Sequence, residues 1–476
     1  MNTDLVVIGA GPAGLACAVT AAEQGATVVL IDSGPRPGGQ FWRHGNQYTT
    51  SAQGQGHHNW KTFLDLKRRL DQAIDNGAIR YLPRTHVWML ENNGDFITRT
   101  TTENPPEPNA HTAIRSRQLA LCTGAYDRQL PVPGWDLPGV MAAGGVQAFI
   151  KTNGFSPGTR AVVAGTGPFL LSVAASIVHT GATVAAICEA NPPTKWLPRL
   201  HRAASVPSKA MEAIEYAATL ARRRIPYRTR TMITRIIGQD RVEAVETTRL
   251  DRAGRVIVGA RREIPCDLVA LGWGFTPQLE LPLALGVETR VDDDGSLVCR
   301  ADDQGRTSVP GLVVAGESTG VGGAALAVAE GHAAAHAVTE SPVPKRITRT
   351  AKRLRGFAQA MHQAHPIPTG WQTPLTPDTV VCRCEEVTVD EITTAATDMA
   401  ATDPRSAKSF TRAGMGWCQG RECGFALTCM NSHDPMRGDA EELRAIHKRP
   451  LATPIPLSAL SNMTTPPATP PRKDNA

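Results

Sequence analysis

The sequence predicts an α/β chain made of two copies of one strand, turn, helix and strand unit, followed by a small module of a different kind. Three observations carry this. Leu5-Val6-Val7-Ile8 is a short apolar run that Gly9-Ala10-Gly11-Pro12-Ala13-Gly14 turns into a helix ending at Gly25, and Thr27 to Ile31 then reads as a second strand closing at Asp32. The plan recurs in Ala161-Val162-Val163-Ala164 and Gly165-Thr166-Gly167-Pro168-Phe169-Leu170, with a helix to Gly181 and a strand to Cys188-Glu189. Finally, Cys382, Cys384, Cys418, Cys423 and Cys429 crowd into one C-terminal stretch, whereas Cys17, Cys122, Cys188, Cys266 and Cys299 are scattered. The spacing from first glycine to helix-stopping glycine is the same in both units, as expected of two Rossmann-like dinucleotide-binding folds in series.

The composition agrees with a globular enzyme. The chain has 476 residues, 41% hydrophobic and 20% charged, which excludes disorder over most of its length. A net charge of +6, with no basic run longer than Lys352-Arg353-Leu354-Arg355, argues against a nucleic-acid partner, and that run reads as a solvated helix face. The uncharged stretches Leu5 to Ala22 and Ala161 to Cys188 are broken by glycines and prolines, so neither is a transmembrane segment. The expected location is the cytoplasm, with at most peripheral attachment to a membrane. Ten cysteines in a large chain of this kind point to thiol or metal chemistry rather than a disulfide framework.

Two further strand-to-glycine junctions flank the second unit: Leu119-Ala120-Leu121-Cys122-Thr123-Gly124 before it, and Leu312-Val313-Val314-Ala315-Gly316-Glu317 after it. The second junction feeds an alanine-rich helix from about Gly323 to Val338. Residues 1–135 and 271–340 are therefore expected to form one discontinuous domain, with 136–270 inserted. Within the insertion, residues 242–270 read as a β-hairpin around Asp251-Arg252-Ala253-Gly254, closed by Leu268-Val269-Ala270-Leu271-Gly272. Residues 341–377 read as a linker, 378–447 as the cysteine module, and 448–476, rich in Pro, Thr and Ser, as an extended tail.

A pyrophosphate at a helix N-terminus needs free N–H groups, a turn without side chains in the way, and close helix-to-strand packing. Gly9, Gly11 and Gly14 supply these, and Asp32 at the end of the next strand can accept hydrogen bonds from ribose hydroxyls. The motif alone fits FAD or NAD. Pro37-Gly38-Gly39-Gln40, Thr123-Gly124 and Gly316-Glu317 point to FAD, whose flavin end must be reached by additional segments.

With these junctions the chain resembles the glutathione reductase and thioredoxin reductase class, flavoproteins in which such segments line FAD and an NAD(P)-binding unit is inserted between them. The late junction of that class usually carries Asp; Glu317 is one methylene longer. The disulfide reductases of the class also need a reactive cysteine pair, and neither Gln40-Phe41-Trp42-Arg43-His44 nor the inserted unit supplies one. In the second unit Leu170 stands where a third small residue belongs, and its bulk is expected to push the helix from the strand. Gly165, Gly167 and Glu189 are the candidate contacts there for NAD(P) or another adenine nucleotide; a vestigial scaffold is the other reading.

In the module, Cys382-Arg383-Cys384 is followed after 33 residues by Cys418 and then, after four more, by Cys423. Alternate residues of an extended segment point the same way, so Cys382 and Cys384 can grip one ion or cluster, and the later pair completes a four-thiolate set for a [2Fe-2S] cluster or zinc. Thr388-Val389-Asp390-Glu391 is a capping box opening a helix to about Ala400. Cys429 falls outside the set.

The words Val381-Cys382-Arg383-Cys384-Glu385-Glu386-Val387 and Thr411-Arg412-Ala413-Gly414-Met415-Gly416, running into Cys418-Gln419-Gly420-Arg421, resemble a [2Fe-2S] module related to bacterioferritin-associated ferredoxin. Pro131-Val132-Pro133-Gly134-Trp135 and Leu137-Pro138-Gly139-Val140 look like the same flavoprotein family, which includes opine oxidase A-type subunits, a hydrogen cyanide synthase subunit, and subunits of D-hydroxyproline and L-proline dehydrogenases. The resemblance implies an FAD- and [2Fe-2S]-dependent oxidoreductase subunit. It also implies a second FAD-dependent subunit that takes a hydride from a small amino-acid or amine substrate. Two other readings remain open: an autonomous NAD(P)H-dependent reductase and a zinc-bearing assembly subunit. No side chain stands out as catalytic, and His44, His57 and His58 are expected in a solvated loop.

Overall fold

A computed structural model describes residues 2–45, 57–102, 112–431, 436, 438–457 and 460. The first glycine turn lies at the carboxyl edge of a seven-stranded sheet in the order Ile79–Leu82, Val28–Ile31, Asn2–Ile8, Thr112–Leu121, Phe96–Thr102, Thr85–Asn92. The strand Thr112–Leu121 shares one edge between two partners. Its first half pairs antiparallel with Phe96–Thr102, and its last three residues pair parallel with Leu312–Val314, the seventh strand. The chain thus returns after residue 311 to complete the sheet it left at residue 121.

The insertion is a second, wholly parallel sheet, ordered Tyr227–Thr229, Thr183–Glu189, Arg160–Gly165, Leu268–Gly272, Val140–Ala142. Strands buried on both faces in such a sheet read as continuous apolar runs, as Ala161-Val162-Val163-Ala164 and Leu268-Val269-Ala270-Leu271 do. The expected hairpin is present as Ala244–Arg249 against Arg262–Pro265, with Thr231–Ile237 as a third strand. Leu268–Gly272 does not close it; this strand enters the parallel sheet beside Arg160–Gly165. The chain passes between the two domains along an antiparallel ribbon, Ala125–Asp127 with Phe275–Pro277.

The stretch expected as a linker is a packed element. Lys345–Ala364 is a 20-residue helix that buries Leu354, Ala358, Ala360, His362 and Ala364. The basic run is only partly solvated: Leu354 is in the core, and Arg355 pairs with Glu330 and donates to Gly320 O at 2.7 Å and Thr319 Oγ1 at 2.6 Å. Composition hid this because a helix of alanines and arginines buries a narrow stripe and otherwise looks polar. Trp371, 1% exposed, lies in one apolar cluster with Leu279 and Leu297 of the first domain and Phe425 of the module. The capping box at Thr388 and Glu391 is formed, opening the helix Val389–Asp398. The expected tail begins as packed chain, with Ala452 N donating to Trp88 O at 2.8 Å. Residues 461–476 lie outside the described residues.

Trp371→Ala is expected to lower stability by about 3–5 kcal/mol, the usual cost of emptying an aromatic site in a core. Urea unfolding followed by far-UV circular dichroism measures it; a linker residue would leave the midpoint unmoved.

Candidate functional site

At the first turn, backbone touches backbone. Gly9 has φ +99°, and a methyl on it would lie 2.3 Å from Cys122 O; one on Gly14 would lie 1.7 Å from Gly9 O. Only glycine allows strand, turn and helix to meet this closely. Gly11 is different: its φ is −74°, and nothing but the Gly39 Cα, at 3.9 Å, comes within 4 Å of a methyl there. The helix Pro12–Glu23 begins beside that open space with proline in its first turn and no side-chain cap, so its leading N–H groups face the gap. This is the arrangement that binds an anion.

The other sequence candidates gather around it. Asp32 accepts from Ala10 N at 2.5 Å and Gly34 N at 2.6 Å, and burial raises its pKa despite those bonds. Gly39, with φ +59°, backs onto Gly11, and Gly38 N donates to Ala10 O at 2.8 Å. Gln40 is exposed and accepts from Arg43 Nε at 3.0 Å. Thr123 Oγ1 donates to Gln278 O at 2.9 Å, while Gly124, at φ +77°, has open space over its Cα. Gly316 lies against Ala13, and its N–H donates to Glu330, which Arg355 holds. Glu317 accepts from Gly322 N and Gly323 N at 3.0 Å each, and burial pushes its carboxyl up to about 7. The longer side chain thus braces the glycine turn before the helix Ala324–Val338. These residues leave a cradle that fits FAD.

The second turn repeats the constraint and then departs from it. A methyl on Gly165 would lie 1.8 Å from Gly272 O, and Gly167 has open space. Leu170 is fully buried, and the helix starts at Phe169. Glu189, 1% exposed, accepts from Gly167 N at 2.8 Å, Asn191 N at 2.9 Å and Thr166 Oγ1 at 3.3 Å. His365-Pro366, just past the helix Lys345–Ala364, lies across this group. Thr166 Oγ1 donates to His365 O at 3.1 Å and Asn191 Nδ2 to Pro366 O at 2.9 Å. Trp196 Nε1 donates to His365 Nε2 at 2.9 Å, and His365 Nδ1 sits 3.4 Å from Glu189. The carboxylate that would bind a ribose is enclosed by the chain's own backbone, so these residues do not fit NAD(P).

The four module thiols come together, in pairs other than those the spacing suggests. Cys382 ends the strand Val380–Cys382, and a turn then carries Cys384 outward. Cys382 contacts Cys423, and Cys384 contacts Cys418. The hydrogen bond from Cys423 draws Cys382 down to about 6, with Gly414 N donating to its Sγ at 3.4 Å; burial pushes Cys384 up to about 11. Gly416 is required for the approach, since a methyl there would lie 2.3 Å from Cys384 Cβ. Cys382 and Cys423 are buried, whereas Cys384 is exposed. Cys429 lies apart in the apolar core.

The histidines are not in a solvated loop. His44 is 5% exposed between Trp60 and Phe63, His57 stacks on Trp60 at 4.6 Å, and His58 Nε2 meets Tyr216 Oη at 2.5 Å. Sequence reading missed two charged groups where the domains face each other. Lys151 donates to Phe41 O at 2.7 Å, and burial, with Arg43 nearby, lowers it to about 8; Asp127 accepts from Gly144 N at 2.8 Å, and burial raises it to about 6. Asp127 follows the Thr123-Gly124 junction by three residues, which was the available signal.

Residues 3–336 match the family described as pyridine nucleotide-disulphide oxidoreductase, and residues 380–428 match the BFD-like [2Fe-2S] binding domain. The chain belongs to the pyridine nucleotide-disulphide oxidoreductase family. It is a flavin oxidoreductase whose cofactors are FAD and a [2Fe-2S] cluster. It is 31% identical to the opine oxidase A-type subunit of Rhizobium meliloti over 89% of this chain and 81% of that protein. It is 28% identical to hydrogen cyanide synthase subunit HcnB of Pseudomonas aeruginosa over 98% of this chain and 100% of that protein. Among solved structures, L-proline dehydrogenase from P. horikoshii aligns with a TM-score of 0.66 at 18% identity, over 97% of this chain and 79% of that one, a likeness of fold.

Gly11→Val is expected to fold but to purify without FAD, because its side chain enters the open space over the helix N-terminus; flavin absorbance per chain measures this. Gly14→Val should fail to fold, and Glu189→Gln should keep its flavin. Equal flavin loss in the Gly11 and Glu189 variants would mean the two turns had been confused.

Proposed function

We propose that this chain is the FAD- and [2Fe-2S]-bearing subunit of an amino-acid or secondary-amine dehydrogenase, acting on CH–NH or CH–NH2 donors of the opine, hydroxyproline or glycine type. A second FAD-dependent subunit oxidises the substrate, and this chain carries the electrons away. The observation that carries the reading is the union in one chain of an open flavin cradle, four converging thiols and a second nucleotide site closed by the chain itself. Relatives named as subunits of opine oxidase, hydrogen cyanide synthase and sarcosine oxidase support a partner.

When bound, FAD exchanges electrons in pairs and the cluster takes them singly, which links a two-electron oxidation to a one-electron chain. The protein's part is to hold, orient and insulate. Gly9, Gly11 and Gly14 with the helix N-terminus hold the pyrophosphate, and Asp32 holds the ribose. Gly39, Gln40, Thr123, Gly124, Gly316 and Glu317 line the flavin end of the cradle. Cys382, Cys384, Cys418 and Cys423 hold the cluster, and N–H groups such as that of Gly414 favour the charged sulfurs. Scattered thiols such as Cys17 and Cys299 are pushed up to about 12 by burial and stay inert. With His365-Pro366 over Glu189, nicotinamide is not the electron source, which disfavours an autonomous reductase. No described helix is long and apolar enough to cross a membrane; ten cysteines that all stand as free thiols support placing the chain in the reducing cytoplasm.

Anaerobically purified chain is expected to contain about two iron and two acid-labile sulfide. Ser in place of any of the four cysteines should bleach the cluster and leave FAD bound, while Cys429→Ser keeps both. One zinc per chain, no labile sulfide and no electron paramagnetic resonance signal after dithionite would overturn the electron-carrier reading. Excess NADH under anaerobic conditions is expected to leave the flavin of the isolated chain oxidised; rapid bleaching would favour the autonomous reductase.

A further inference from the structure

The loop between Cys418 and Cys423 is tied to the first domain through one buried acid. Arg421, inside that loop, donates from Nε to Tyr126 Oη at 2.7 Å and lies 2.9 Å from Glu280 Oε1. Tyr126 Oη lies 3.2 Å from the same oxygen, completing a triangle. Arg449 approaches Glu280 Oε1 to 3.5 Å from the other side and also holds Gln419, through its carbonyl and through Oε1 at 3.2 Å. Glu280 is 1% exposed, and its second carboxylate oxygen has no hydrogen-bond partner among the described residues. One buried negative charge therefore faces two arginines that grip the backbone between cluster ligands.

The same acid is tied to the flavin cradle. Tyr126 lies in the ribbon strand Ala125–Asp127, immediately after Thr123 and Gly124. Gln278, two residues before Glu280, donates its N–H to Gly124 O at 3.0 Å and accepts from Thr123 Oγ1 through its carbonyl. From Gly124 to Tyr126 to Arg421 is a path of covalent and hydrogen bonds joining cradle to cluster loop, and Glu280 fixes its polar end. Removing one member of a buried charge set leaves the others uncompensated, so the site is sensitive to a single change.

We propose that Glu280 is a positioning residue for electron transfer between flavin and cluster, anchoring the Cys418–Cys423 loop to the ribbon that leaves the flavin cradle and balancing Arg421 and Arg449 beside the cluster. The inference rests on the assignment of FAD and the cluster to these residues. With both groups bound, each transfer would take one electron from reduced flavin and convert one ferric iron of the cluster to ferrous. A cation near the cluster favours that reduced form and an anion disfavours it, so the two residue types pull the potential in opposite directions.

The test uses the full chain with both cofactors. Glu280→Gln is expected to keep FAD and iron and to raise the cluster potential, in a titration followed by electron paramagnetic resonance, by about tenfold in the reduced-to-oxidised ratio, or 59 mV for one electron. After flavin photoreduction, electron arrival at the cluster should slow in this variant despite the larger driving force, because the Cys418–Cys423 loop is no longer anchored, and recover in Glu280→Asp. Arg449→Gln should move the potential down. Unchanged potentials and transfer rates in both variants, or shifts of the same sign, would overturn the proposal. If Glu280→Gln fails to assemble a cluster, Arg449→Gln decides alone: a downward shift supports the proposal and no shift overturns it. Wild-type chain lacking FAD or iron would instead sink the functional reading, and this inference with it.

Discussion

The contact between Gly14 and the carbonyl of Gly9 is the constraint on which the rest is built. It brings the first helix so close to its strand that no side chain fits between them, which aims the helix N-terminus into the gap over Gly11. The far side of that helix is equally confined, because a methyl on Gly331 would lie 2.1 Å from Ala13 O. The alanine-rich helix Ala324–Val338 can therefore lie flat against it, and this draws Gly316 and Glu317 to the same edge as Gly11 and Gly39. The proposed flavin cradle, assembled from segments far apart in the chain, follows from backbone packing, with few side chains involved.

The second glycine unit began from the same plan and reached a different end. Gly165 is held against Gly272 as Gly9 is against Cys122, but Leu170 fills the place of the third glycine. The segment after the helix Lys345–Ala364 then crosses the turn and satisfies Thr166, Asn191 and Trp196 with its own polar atoms. One stretch of chain thus closes one cofactor site and braces the other, since Arg355 of the same helix ties down Gly320 and Glu330 beside Gly316. Under the proposed function the consequence is directional: electrons enter through the flavin from a partner and not from nicotinamide.

The module is held by charge as well as by apolar burial. Phe425 packs beneath the Arg128 guanidinium at 4.1 Å, and Arg128 is itself paired with Asp294. Trp135 Nε1 donates to Val380 O at 2.6 Å, and Arg383 lies over the Trp135 ring. The module is thus held to Arg128 and Trp135 of the first domain, while Cys384 stays exposed.

The sequence by itself determined both glycine units, the capping box and the crowding of the four thiols, because each rests on local rules: apolar runs, glycine where backbone must meet backbone, and ligand spacing. It did not reveal that Lys345–Ala364 is packed, since a narrow buried stripe leaves the composition of a linker. Nor could it reveal the cross-pairing of Cys382 with Cys423, which depends on a turn at residues 383–386 and on Gly416 approaching Cys384. Three features were decided by tertiary structure alone: the closure over Glu189, the aromatic burial of His44, and the meeting of Glu280 with Arg421 and Arg449. Each joins segments far enough apart that neither one's local sequence names the other, so only the packing of whole domains brings an acid to its cations or a backbone carbonyl to its donor.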